Sequence, residues 1–136
     1  MDDSKIPEQV RHFIYKYIDS VEILEILLFL RSHPEEWNSA EQINAELKTQ
    51  ASSIAKKLII LKSFGFLEED PATVGKYKFA PTTGEIEISI GLLAEEYKIR
   101  RYRVYELIFS QKNHIKNFAD AFIIVNNKNK KDDESG

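Results

Sequence analysis

Residues 39–67, SAEQINAELKTQASSIAKKLIILKSFGFL, decide the fold of this chain. Ser39 and Gln42 stand three apart ahead of an apolar residue. That is capping-box spacing, in which each side chain accepts from the other residue's backbone N–H. The short helix that follows turns Ile43 and Leu47 inward, and Lys48 to Gln50 make a turn. A second helix runs from about Ala51 to Phe64. Its apolar positions Ile54, Leu58 and Leu61 are four and three apart, so they share one face. Gly65 suits the left-handed residue that closes a helix, and Phe66 and Leu67 enter a strand.

Working upstream, Pro7 opens a short amphipathic helix carrying Val10, Phe13, Ile14 and Tyr17. Asp19 and Glu22 repeat the capping-box spacing ahead of Ile23, Leu24, Ile26, Leu27, Leu28 and Leu30. A helix apolar on more than one face must be central, and Pro34 ends it. Trp37 can supply a small extra strand. Downstream, Glu69, Asp70, Pro71 and Gly75 are turn residues. Lys76-Tyr77-Lys78-Phe79 then alternates as a half-buried strand. Thr82 and Glu85 open a long helix expected to run unbroken from about Thr83 to Ser110. Ile115, Phe118, Ala119 and Phe122 suggest a short final helix.

The expected fold class is therefore mainly α with a small β-hairpin. Residues 1–18 form an N-terminal amphipathic helix, and 19–81 the central unit. Residues 82–125 hold the long helix and a short C-terminal helix, and 126–136 a polar, disordered tail.

The order helix, short helix, turn, helix, hairpin resembles the winged helix-turn-helix, most closely that of MarR- and PadR-like bacterial regulators. The matching residues are Ser52-Ser53-Ile54-Ala55-Lys56-Lys57-Leu58 and Leu61 through Phe64-Gly65-Phe66-Leu67. The resemblance implies a DNA-binding transcriptional regulator. Its recognition helix, about 51–64, would enter the major groove, and its wing, 66–80, would lie on the flanking backbone. The following long helix would serve for dimerisation. The stretch Asn117 to Phe122 is also similar to small bacterial winged-helix proteins, from which no function follows.

The residues support that reading on their own terms. A groove-reading helix needs a polar and basic outer face, and Leu47 to Leu67 carries Lys48, Lys56, Lys57 and Lys62 without one acid. Candidate DNA contacts are Thr49, Gln50, Ser52, Ser53, Lys56 and Lys57, with Lys76 and Lys78 from the wing. The expected partners are double-stranded DNA and a second copy of the chain. Ile86, Ile90, Leu93, Tyr97, Val104 and Leu107 fit a heptad dimer seam, with Arg100 as its polar interruption. Arg100, Arg101 and Arg103 are read as salt-bridge partners for Glu95, Glu96 and Glu106 rather than as a phosphate patch.

Against DNA stand the net charge of −3, the exposed-looking Ile59 and Ile60, and the lack of arginine between Leu47 and Pro81. These keep open a winged helix that binds a protein partner instead. A ligand pocket lined by Tyr97, Tyr102, Tyr105 and Phe109 is a third possibility.

The chain has 136 residues, 43% hydrophobic and 30% charged, the balance of one ordinary globular domain. It has no cysteine, which excludes disulfides and thiolate metal sites. Val21 to Leu30 is too short and too charged to span a bilayer, and Met1 to Lys5 lack an apolar leader, so a cytoplasmic protein is expected. His12, His33 and His114 are scattered and lack metal-ligand spacing. Nucleophile motifs and glycine-rich phosphate loops are absent. The reading is a non-enzyme without cofactor or metal.

Overall fold

A computed structural model of the chain describes residues 6–110. The order of elements is α1 (Glu8–Tyr17), α2 (Val21–Ser32), β1 (Asn38–Ser39), α3 (Ala40–Leu47), α4 (Ala51–Ser63), β2 (Leu67–Glu69), β3 (Lys76–Phe79) and α5 (Gly84–Ile99). Residues 101–110 form a further helix, α6. This mainly helical domain with its small antiparallel sheet is compatible with a winged helix. The expected helix around Phe118 and Phe122, and the tail, lie outside the described residues. No helix among the described residues is long and apolar enough to cross a membrane.

Local chemistry sets most boundaries. Ser39 and Gln42 form the full capping box, with the Ser39 N–H donating to Gln42 Oε1 at 2.8 Å and the Gln42 N–H to Ser39 Oγ at 3.2 Å. The other two helix starts fall one residue later than the sequence spacing suggests. Ser20 caps α2 by accepting from the Ile23 N–H, and Thr83 caps α5 by accepting from that of Ile86. In each case a hydroxyl accepts from the backbone N–H three residues on, as an N-cap side chain does. Gly65 closes α4 at φ 87°, and a Cβ there would stand 2.8 Å from Thr82 Oγ1. The position thus demands glycine twice over, for conformation and for space.

The sheet order is β1-β3-β2, antiparallel throughout. Asn38 pairs with Tyr77, directly after Trp37, so the extra strand is two residues long. In the hairpin, Leu67 pairs with Phe79 and Glu68 with Lys78. Its loop is fixed by Gly75 at φ 91°, whose N–H donates to Glu69 Oε2 at 3.0 Å.

α2 is central as its composition requires. Ile23, Leu24, Ile26, Leu27 and Leu30 are all buried, and the helix packs against α3, α4 and β3. Ile43 of α3 and Ile54, Leu58 and Leu61 of α4 close over it. At ~1.5–3 kcal/mol for each large aliphatic chain buried, this cluster dominates stability. α1 is held by an aromatic group: Phe13 stacks on Phe66 at 5.5 Å, and Tyr17 meets both Phe64 and Phe66 at 5.0 Å.

The helix expected over Thr83 to Ser110 is broken. Arg100 lies off the helix at φ −125°, ψ 54°. Burial explains the break. Ile90 and Leu93 before it and Val104 and Ile108 after it all join the same core. Across the break, the Tyr97 and Tyr105 rings meet at 5.8 Å with their hydroxyls 3.2 Å apart.

Candidate nucleic-acid interface

α4 is anchored by its inward stripe, Ile54, Leu58 and Leu61, and that stripe fixes where every other residue of the helix points. Ser52, Ala55, Lys56, Ile59 and Ile60 are exposed. Ser53 and Lys57 are not on this outward face. They lie on a flank turned toward α2. There the Ser53 hydroxyl donates to Glu22 Oε1 at 2.5 Å, and Lys57 Nζ stands 3.0 Å from the same oxygen. Lys57 Nζ also donates to Ser53 Oγ at 3.1 Å. The Thr49 side chain joins them on Glu22. Residues 49, 53 and 57 are four apart, so one acid from α2 collects all three.

The Glu22 carboxyl shows the strength of this cluster. Burial alone would raise its pKa. Hydrogen bonds from Ser53, Lys57 and Thr49, with the charge on Lys57, outweigh that and hold it below the ordinary carboxylate value.

The turn before α4 is also partly committed. The Thr49 N–H donates to Asn44 Oδ1 at 2.9 Å, so the anion seat expected there has lost that donor. Lys48 adopts the left-handed region at φ 56° and is exposed. Gln50 is the exposed N-cap residue of α4 and makes no side-chain cap bond.

The hairpin carries both charge signs. Lys78 Nζ lies 4.7 Å over the Trp37 ring and 3.8 Å from Glu35 Oε2. Lys76 pairs in register with Ser39 and is half-buried. Lys62 of α4 is drawn 3.2 Å from Glu69 Oε1. The Gly75 N–H and then Lys62 hold the Glu69 carboxyl below its usual range. Glu68, Glu69 and Asp70 are thus the acids of the hairpin.

Of the eight candidate contacts, the structure brings Gln50, Ser52 and Lys56 together at the exposed start of α4, beside Lys48. It ties the half-buried Ser53 and Lys57 to Glu22 and engages Lys78, while Thr49 stays exposed with its N–H given to Asn44. Lys48, which was named only as part of the acid-free run, belongs to the exposed group. Its place directly before Thr49 and Gln50 was the available signal. Glu22 was missed as the organiser of the flank, because it lies 31 residues from Ser53.

The expected seam sits in the chain's own core. Ile90, Leu93, Tyr97 and Val104 are buried within a single copy, and Ile86 and Leu107 pack against the same cluster. Ile90, Leu93, Tyr97 and Val104 are thus engaged within one copy, while Ile86 and Leu107 stay partly exposed. Arg100, the expected interruption, stands 2.7 Å from Glu96, and Arg103 stands 2.9 Å from Glu106. Arg101 covers the Tyr97 ring at 4.6 Å. Burial, and then the Tyr105 hydroxyl, push the Tyr97 phenol up.

The aromatic pocket does not form as expected, since Tyr97 packs on Tyr105 while Tyr102 is 80% exposed. An open cavity of about 530 Å³ lies elsewhere, between His12 and Lys16 of α1 and Glu85 and Ser89 of α5. His33 caps α2, with its Nδ1 2.8 Å from the Phe29 carbonyl, which is a structural position. Among the described residues, no group of three histidines and acids could hold a metal ion.

No family model, curated protein or solved structure matches this chain.

Proposed function

We propose that the chain is a DNA-binding regulator, a winged helix-turn-helix of the kind that MarR- and PadR-like regulators represent, reading DNA with the first half of α4 alone. The observation that carries this is the exposed, acid-free group Lys48, Gln50, Ser52 and Lys56 at the start of that helix. Gln can pair with an adenine edge, Ser with base or phosphate, and Lys with guanine or phosphate. Lys76 reaches the flanking backbone from β3.

With Lys48, Lys56 and Lys76 as the phosphate-facing cations, binding is weak and its salt dependence shallow. At about −0.9 per neutralised phosphate, the slope of log K against log salt is about −3 for each copy of the chain. Anisotropy of a labelled duplex over a salt series tests this. Lys56→Glu should lower affinity roughly tenfold, of the order of one lost contact. Lys57→Glu should leave the affinity of the folded protein near wild type while destabilising it. A duplex affinity that ignores salt, or that falls with Lys57→Glu and not with Lys56→Glu, defeats the proposal.

A second reading is favoured by one feature. Ile59 is 61% exposed and Ile60 40% exposed on α4. A groove-reading helix has little use for them, whereas a protein partner would cover them. Ile59→Lys separates the two readings: it strengthens DNA binding by adding a cation, and it weakens a protein contact.

A further inference from the structure

α6 sends Val104 and Ile108 into the core and leaves two aromatic rings outside. Tyr102 is 80% exposed and Phe109 58% exposed. They are seven residues apart, so they share one line along the helix, ~10 Å from end to end. Just before the break at Arg100, Ile99 is 64% exposed as well. Large apolar side chains gathered in solvent this way mark a surface that something covers. The sequence after α6 carries a matching pattern. Ile115, Phe118, Ala119 and Phe122 fall at helical spacing, and Ile115 and Phe122 are seven apart, as Tyr102 and Phe109 are. Val125 is the last apolar residue before the polar run that starts at Asn126.

We infer that this patch is the docking surface for the chain's own segment 115–125, which folds back antiparallel to α6 and closes an αα-hairpin. The four residues Gln111 to His114 suffice for the connection, since ~2–8 residues join antiparallel helices. The register that sets Ile115 against Phe109 also sets Phe122 against Tyr102 and Val125 against Ile99. The apolar residues of the two arms therefore run out together, where the chain turns polar. Slipping by one residue puts Lys116 or His114 on Phe109 instead. So short a tether gives the segment a high effective concentration at the patch, which favours it over a second copy or a foreign partner. The inference does not depend on what α4 binds.

The chain has no cysteine, so a spin label on Asn126→Cys in the whole chain reports on the hairpin. In dilute, isotope-labelled protein the label should erase the amide signals of Lys98 to Tyr102 and affect those near Ser110 less, although Ser110 is closer in sequence. Adding Phe122→Asp should return the lost signals and leave those of α2 to α4 in place. Tyr102→Asp, at an exposed position, should do the same from the other arm. Isotope-labelled chain without the spin label, mixed with spin-labelled chain without the isotope, should lose no signal. Loss in that mixture means that a second copy covers the patch, and overturns the inference. A label that erases nothing, or that acts most on the residues next to Ser110, overturns it too. So does a loss of signal that survives both Phe122→Asp and Tyr102→Asp.

Discussion

α4 and α5 are both helices with more apolar residues than one face needs, yet sequence periodicity orients only the first. In α4 the stripe Ile54, Leu58 and Leu61 is narrow, and Ser52, Lys56 and Ser63 lie across from it. The helix has one way to sit. In α5, Ile86, Ile88, Ile90, Leu92, Leu93 and Ile99 surround the axis, and two heptad lines can be drawn. The line through Ile90, Leu93 and Tyr97 is the one the core takes, and the line through Ile88, Leu92 and Ile99 is left outside. An apolar pattern states that a face is buried. It does not state against what.

The most damaging change follows from that contrast. In an Ile99→Glu background, where the outer stripe is charged, Leu93→Ala should still cost ~2–5 kcal/mol of folding stability. Urea unfolding checks this. Leu93 is fully buried within one copy, so the loss belongs to the core. A stability unchanged by Leu93→Ala would return the residue to a seam between chains.

A smaller effect, on the α4 side, probes the flank gathered by Glu22. Glu22→Gln keeps the shape and removes the charge that Lys57 and Ser53 share, and it should cost ~1–3 kcal/mol at neutral pH. The sign of the pH dependence follows from the lowered carboxyl. Its stabilisation is present above the unfolded-state carboxylate value and is lost as pH falls through the lower, folded value. Wild type should therefore lose more stability than the Gln variant on acidification. Parallel acid profiles for the two proteins would mean that the cluster contributes nothing.

How much was legible in the sequence depends on the range of the forces involved. The Ser39–Gln42 box, the α4 stripe and the Gly65 stop act within a few residues, and the structure contains them all. The break at Arg100 has no glycine or proline to announce it. Its cause is the return of Val104 and Ile108 to a core built by residues far away. The orientation of Lys57 likewise rests on Glu22, which belongs to another helix far back in the chain. A lysine within an acid-free run looks free until the acid of another helix arrives.

The smallest expected effect concerns the turn that leads into α4. Lys48 occupies the left-handed region at φ 56°, and its N–H donates to the Asn44 carbonyl at 2.8 Å. An L residue with a Cβ is disfavoured there by ~1–2 kcal/mol. Lys48→Gly relieves that strain but gives the unfolded chain more freedom, which offsets ~0.5–1 kcal/mol of the gain. A net stabilisation of ~0.5–1 kcal/mol should remain. The same substitution removes an exposed cation from the start of α4, so duplex affinity should fall as stability rises. Opposite signs in the two measurements would show that the turn keeps lysine for contact rather than for folding. A rise in both would remove Lys48 from the interface and leave Lys56 to anchor it.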